Sequence, residues 1–221
     1  MKKAIIICAL AIFVILGGIF LARGMRQQGD IALKDNFTSS FIQEDIDTGE
    51  GFHFFESKNG HYTLWYPKKF YIEEEPPYFI SKDHYELMNF YESSESESGL
   101  ERSFQIRYQG KKNQDSADIT LKRLLDDFAF EKNYEELTTE STNIFFGPSN
   151  ITMDGKEAVI SNPDESHANR YFALVQNKEG TQFLSVIFRI NCIDESRGSC
   201  EINDSEERSF FETFIKNISF S

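Results

Sequence analysis

The sequence predicts an α+β domain, with an antiparallel sheet flanked by helices, placed after an N-terminal transmembrane helix. Three patterns predict this: short segments of alternating polarity separated by turn residues, two amphipathic helical segments, and one long apolar run. The chain is 40% hydrophobic over 221 residues, which is typical of a folded protein. Its formal net charge of −13 argues against nucleic acid as a partner, because phosphate binding needs a basic face.

The apolar run at residues 4–22 predicts a single membrane anchor. As a helix its 19 uncharged residues would span about 28 Å, close to the hydrocarbon thickness of a bilayer. Residues 1–3 form a short tail with two lysines, which favours an N-terminus inside the cell. Two alternatives stay open: a secretory signal cleaved near Ala22-Arg23-Gly24, and a lipoprotein signal acylated at Cys8. The run exceeds the usual signal core of about 7–15 residues, and Cys8 follows few apolar residues, so we expect an uncleaved anchor.

The composition changes after the anchor. Residues 23–50 mix polar residues with isolated apolar ones, which is typical of a stalk or linker. Residues 51–221 carry regular patterns and are expected to form one domain. All 36 acidic residues, but only 19 of the 23 basic ones, follow Arg26. Anionic lipid should therefore repel this part of the chain.

The element signals of residues 51–221 predict their order. Asn59-Gly60 between two strand-like segments is a strong hairpin signal. Apolar stripes at helical spacing predict helices over 117–130 and 205–216. The segments 170–175 and 182–190 are apolar on both faces, so they are expected to be central strands of a hairpin. Other predicted strands cover residues 52–57, 61–66, 86–91, 102–108, 143–146, 151–153 and 157–161.

One segment resembles a known family. Residues 59–70, Asn-Gly-His-Tyr-Thr-Leu-Trp-Tyr-Pro-Lys-Lys-Phe, look like the opening of PsbP-like domains, in which a hairpin leads to a strand that ends in Tyr-Pro and is followed by an aromatic residue. That aromatic residue is usually Trp in the family and is Phe70 here. The resemblance implies an antiparallel sheet between helices, often on anchored extracytoplasmic proteins or lipoproteins. It implies no enzymatic activity and supplies no catalytic residues.

The cysteines favour an oxidising compartment. Cys192 and Cys200 flank seven polar-rich residues, and a disulfide between them would close that loop. The alternatives are two reduced thiols or half of a zinc site. No CxxC pair is present and no His lies close in sequence, so the spacing favours the disulfide.

The sequence contains several stretches that could hold a ligand. Residues 45–56 place acids at three positions of a calcium-binding loop, but Glu50 stands where that loop needs Gly. Residues 92–99 form an acidic, Ser-rich loop, and residues 73–75 are three glutamates. None of the four histidines is spaced as a metal or nucleophile motif. We therefore expect no enzyme activity, no cofactor and no metal site.

The expected function is binding. Trp65 and Tyr66 should point to opposite faces of one strand, so we expect one of them to form part of a contact surface. The prediction is a single-pass membrane protein whose C-terminal domain lies outside the cytoplasm as a non-catalytic binding or assembly module of the cell envelope. Its partners would be the membrane, through residues 4–22, and another envelope protein. A calcium-binding acidic domain and a hydrolase with an unrecognised site are the alternatives.

Overall fold

The computed structural model describes residues 30–93, 99–164, 166–192 and 200–221. Its helices are α1 (Ile31–Lys34), α2 (Asn36–Ser39), α3 (Gln114–Phe128), a 3-10 turn (Phe130–Lys132) and α4 (Asp204–Lys216). Its strands are β1 (Ile42–Gln43), β2 (Phe52–Glu56), β3 (Tyr62–Pro67), β4 (Phe70–Ile72), β5 (Phe79–Lys82), β6 (Tyr85–Glu92), β7 (Leu100–Gln109), β8 (Glu135–Thr138), β9 (Thr142–Asp154), β10 (Glu157–Ser161), β11 (Arg170–Asn177), β12 (Phe183–Cys192) and β13 (Ser219–Phe220).

The strands form two antiparallel sheets. The large sheet has the order β10-β9-β11-β12-β7-β6-β4, with β5 also paired to β6 and β8 to β9. The small sheet has the order β1-β2-β3-β13. The predicted fold class, α+β with antiparallel sheets and few helices, is therefore confirmed for the described residues. The predicted central hairpin lies at the middle of the large sheet as β11 and β12.

The main core lies on the inner face of the large sheet, against the small sheet and α4. Phe104 occupies its centre, with ring centroids 4.5 Å from both Phe188 and Phe214 and 4.8 Å from Phe90. These rings come from three neighbouring strands and from α4, and all are fully buried. Because such aromatic contacts add to the gain from buried area, this stack helps to attach α4 to the sheet.

Helix α3 covers one part of the outer face of the large sheet. It begins one turn earlier than predicted, because the Asn113 side chain accepts a hydrogen bond from the Ser116 amide and caps it. Its Ala117 and Leu124 pack into a second core against β11 and β12. Toward β4 and β6 the same sheet face carries tyrosines instead, and Tyr71, Tyr85 and Tyr91 are half-buried there.

Residues 30–50 differ from the expected stalk at 23–50. They form α1, α2 and β1, which pack on the domain. Ala32 and Thr38 are fully buried, and the Thr38 hydroxyl accepts a hydrogen bond from the Ile72 amide. These two buried side chains and the pairing of β1 with β2 attach the segment to the domain. The scattered apolar residues of the sequence did not predict this attachment. The domain therefore begins by residue 30 rather than at residue 51.

The predicted anchor at residues 4–22 lies outside the described residues. Among the residues that the structure describes, no helix is both long enough and apolar enough to span a bilayer.

Two buried tyrosines should make the free energy of unfolding fall at alkaline pH. Burial first, and then nearby acidic charge, raises the pKa of Tyr66 and of Tyr171 above the ordinary value of 10.0. Below pH 10 these phenols are neutral in both the folded and the unfolded states, so this stabilising contribution is complete there. As the pH rises from 10 through the folded-state pKa, only the unfolded chain ionises freely, so the free energy of unfolding falls.

We expect Tyr171→Phe to flatten this alkaline decline, measured as the urea midpoint of the full-length protein from pH 8 to pH 11. Tyr134→Phe is the matched control, because Tyr134 is an exposed tyrosine. An identical decline in wild type and Tyr171→Phe would contradict the role given to Tyr171.

Candidate functional site

The structure separates the two aromatic residues expected to form a contact surface. Tyr66 is fully buried, with its ring centroid 5.0 Å from that of Phe90, so Tyr66 is not the surface residue expected of this pair. Trp65 points the other way and is half-buried against Gly49 and Phe52. Its role in binding stays a prediction.

Cys192 and Cys200 form a disulfide in the structure, with Cα atoms 5.7 Å apart. The bridge joins the end of β12 to the segment that leads into α4.

The acidic stretch at residues 45–56 does not have the geometry of a calcium-binding loop. Residues 45–51 form turns, and Phe52 begins β2 where a calcium-binding loop would continue into a helix. Glu56, the last acid of that stretch, lies in β2 and accepts a hydrogen bond from Gln43. Residues 94–98 of the Ser-rich loop lie outside the described residues.

The histidines pair with carboxylates. His53 Nε2 lies 2.7 Å from Asp30, and His167 Nδ1 lies 2.8 Å from Asp204. The second pair borders a cavity of about 470 Å³, which the hydrolase alternative would need. However, the neighbouring Ser166 hydroxyl donates to the Asn162 carbonyl, whereas the described contact of the His167 imidazole is with Asp204. The described residues therefore present no nucleophile–base pair there.

The outer face of the large sheet carries a feature that the sequence reasoning missed. The strand registers place six residues in one line across six strands, and we call this line the arginine–tyrosine row. Its members, in spatial order from the β4 edge, are Tyr71, Tyr91, Ser103, Arg189, Arg170 and Ser149.

Arg170 and Arg189 are directly opposed on neighbouring strands, and both are half-buried. Arg170 donates to the Asn169 carbonyl at 2.7 Å and to the Asn191 amide oxygen at 3.2 Å. Arg189 donates to the Gln105 amide oxygen at 3.4 Å. All three acceptors are neutral. Within the part of the chain that the structure describes, no carboxylate oxygen lies within the 4.0 Å of an ion pair from either guanidinium.

The electrostatics of this pair are unfavourable in the unbound protein. Burial, and then the charge of Arg189, lower the pKa of Arg170 to about 10. Burial also lowers the pKa of Arg189, which nearby Tyr91 partly offsets. Like charges directly opposite each other on a sheet are destabilising. Beside them, the buried Ser149 hydroxyl has no hydrogen-bond partner among the described residues. The arrangement favours a bound anion, which would relieve the repulsion.

Arg102, in the same sheet, differs from Arg170 and Arg189 because it forms ion pairs with two glutamates. It lies on the inner face of β7, next to the row residue Ser103, and its guanidinium contacts Glu207 at 2.5 Å and Glu92 at 2.8 Å. Burial opposes its charge, but the hydrogen bonds to Glu207 and Glu92 outweigh burial and raise its pKa. This charge is matched by carboxylates, whereas no carboxylate among the described residues pairs with Arg170 or Arg189.

A comparison with protein families identifies the chain's relatives. The family described as "Putative lipoprotein YvcA" (YvcA_Mog1p) matches residues 30–219. The chain belongs to this family. The match begins at the N-cap of α1 and ends in β13, so it includes the segment 30–50 that packs on the domain. No curated protein matches the chain.

The row of this YvcA family member was in part predictable. The hairpin predicted over residues 170–175 and 182–190 puts residues 170 and 189 on neighbouring strands, and the observed register pairs them directly. Two arginines in strands that are otherwise apolar were therefore a signal. The absence of a carboxylate partner among the described residues could not be read from the sequence, because the chain has 36 acidic residues that could supply one.

The unpaired charges predict an unusual result for stability. We expect Arg170→Gln and Arg189→Gln each to leave the free energy of unfolding unchanged within about 0.5 kcal/mol, or to raise it, because each removes a buried like-charge contact. Arg102→Gln is the matched control. It should lower that free energy by about 3 kcal/mol, because it leaves two buried glutamates unpaired.

The measurement is urea unfolding of the full-length variants. A loss from Arg170→Gln or Arg189→Gln as large as that from Arg102→Gln would mean that these arginines are structural.

Proposed function

We propose that this chain is a membrane-anchored, extracytoplasmic, non-catalytic binding module of the cell envelope. Its binding surface is the outer face of the large sheet around the arginine–tyrosine row. The row takes a carboxylate group presented by another envelope protein. The single observation that carries this proposal is the opposed pair of half-buried arginines, whose hydrogen bonds within the described part of the chain go to neutral acceptors.

Charge supports a protein carboxylate as the group that is bound. Guanidinium groups favour carboxylates and phosphates, which accept two parallel hydrogen bonds. An anionic membrane surface is disfavoured as the source, because the protein carries a formal net charge of −13 and anionic lipid repels it. A carboxylate side chain on a protein can approach one cationic spot without bringing a whole anionic surface close.

The position of the N-terminus supports a partner in the same membrane. The described chain starts at Asp30, next to α1, whose Ala32 amide donates to the Lys68 carbonyl just before β4. Strand β4 carries Tyr71, one end of the row. If the anchor ends at residue 22, the seven residues 23–29 reach at most about 25 Å. The row would then lie close to the membrane, where anchoring raises the effective concentration of membrane-bound partners.

The family description and the disulfide support the extracytoplasmic placement. The family is described as a lipoprotein family, and disulfides persist mainly in oxidising compartments. Anchoring through residues 4–22 and acylation at Cys8 are the two forms that the anchor could take. The antiparallel sheet packed between helices is also consistent with a PsbP-like domain, and this finer assignment is part of the proposal.

The placement predicts protease accessibility. Protease added to intact cells should digest the domain, and a cytoplasmic control protein should survive. Metabolic labelling with a clickable fatty acid distinguishes the anchors: label that is lost in Cys8→Ser indicates acylation, and an unlabelled protein that resists alkaline extraction indicates a transmembrane helix. Protection of the domain from external protease would contradict the placement.

The binding surface predicts a crosslinking pattern. A photo-crosslinking amino acid at Tyr91 should give a discrete protein adduct in native membranes, whereas one at Met153, an exposed residue on β9, should not. Arg189→Glu should abolish the Tyr91 adduct, because a carboxylate there repels the partner's carboxylate. Arg123→Glu on α3 makes the same charge change at another exposed position and should leave the adduct intact. Equal adducts in all variants would contradict the proposal.

A further inference from the structure

Two turns bring His61, Asp83 and His84 together. His61 follows the turn between β2 and β3, whereas Asp83 and His84 form the turn between β5 and β6. The His84 Nε2 atom lies 2.7 Å from one Asp83 oxygen, and the His61 Nε2 atom lies 3.5 Å from the other. One ligand atom from each residue lies within 4.8 Å of the others, and the described residues contain no second group of three such side chains.

Hydrogen bonds fix the backbone of the two turns that carry these side chains. The Asn59 side chain donates to the Lys82 carbonyl, which joins the two turns directly. The His61 carbonyl accepts from the Ser221 amide at 3.0 Å. The His84 carbonyl accepts from the Gly110 amide at 3.0 Å. The turns are therefore held in place before any ligand binds, which lowers the entropic cost of binding.

The imidazole rings of His61 and His84 lie close to each other, and the His61 ring stacks on Tyr108. The His61 ring stacks on Tyr108 with centroids 5.7 Å apart and planes at 20°, and it lies 5.6 Å from the His84 ring. Both imidazole edges thus face Asp83, whose side chain is 76% exposed and free to adjust.

The distances suit a tetrahedral metal ion after a small adjustment. Metal–nitrogen and metal–oxygen bonds of about 2.0–2.2 Å put neighbouring tetrahedral ligand atoms about 3.3 Å apart. The two contacts end on different Asp83 oxygens, and only one of these oxygens would bind the ion. The three ligand atoms lie within 4.8 Å of one another, so they must approach by at most about 1.5 Å to reach the tetrahedral spacing. Rotation of the exposed Asp83 side chain and of the two imidazole rings can supply this movement.

The ligand set selects the class of metal. Two imidazoles and one carboxylate suit late first-row ions, whereas calcium and magnesium prefer oxygen ligands alone. Three protein ligands leave a fourth position for water or for a group on another molecule. Buried Glu86, whose carboxylate accepts hydrogen bonds from Tyr62 and Ser81, adds negative charge close to the cluster.

We propose that His61, Asp83 and His84 bind one divalent ion of the zinc class with an open coordination position. The bound ion links the β2–β3 turn of the small sheet to the β5–β6 turn of the large sheet. This site is separate from the arginine–tyrosine row: Tyr108, beneath His61, is five residues along β7 from Ser103 of the row, about 17 Å away. The proposal of a zinc site therefore does not depend on the proposed binding surface.

The test is a Zn²⁺ titration of the full-length protein by isothermal calorimetry, with the melting temperature recorded at each zinc concentration. All proteins carry Cys8→Ser, because a thiolate is itself a strong zinc ligand. We expect one ion per chain and a melting temperature that rises with zinc, since an ion that binds only the folded state stabilises it. Ca²⁺ at the same concentrations should produce neither effect.

His84→Asn and His61→Asn should each weaken zinc binding by at least about tenfold and remove the melting shift, because each deletes one of three ligands. His167→Asn is the matched control, since His167 forms an exposed His–Asp pair elsewhere, and it should bind as wild type does. Melting temperatures without zinc establish that each variant is folded, and either ligand variant suffices if the other fails to fold. Unchanged affinity in a folded ligand variant, an equal loss in His167→Asn, or no saturable zinc binding by wild type would overturn the proposal.

Discussion

The register of the central hairpin β11–β12 is the constraint on which the rest of the structure depends. Because side chains alternate between faces, a slip of one residue would exchange the two sides of a strand. The observed register puts Phe188 in the aromatic core and Arg189 on the outer face, opposite Arg170. The same alternation in β7 puts Phe104 inside and Ser103 in the outer row. Core packing thus fixes where the arginines lie, although they contribute nothing to it.

The arginines on the two faces of the large sheet have different partners. On the inner face, Arg102 is enclosed by Glu92 and Glu207, so a costly buried charge is matched within the chain. On the outer face, Arg170 and Arg189 are half-buried together with only neutral acceptors. In a protein with a formal net charge of −13, this absence of acidic partners among the described residues is the physical basis for assigning a binding surface there.

The two proposed sites occupy different ends of the same strand. Near its start, β7 contributes Ser103 to the row. Near its end, it contributes Tyr108, on which His61 stacks. The row is rigid because it spans six strands of one sheet, whereas the metal cluster joins two turns from different sheets. A metal ion at the cluster would therefore link the two sheets. An anion at the row would reduce the repulsion between Arg170 and Arg189.

The sequence by itself determined the fold class, the central hairpin, both long helices and the pairing candidates for the disulfide. These follow from local periodicity and turn residues, which act over a few positions. Only the tertiary structure decided that residues 30–50 belong to the domain and that Tyr66 is buried rather than exposed. Tertiary packing alone also brought His61 to His84, 23 positions along the chain. It also placed Arg170 where no carboxylate of the described residues pairs with it. Such facts depend on which distant segments meet, and no short-range pattern encodes them.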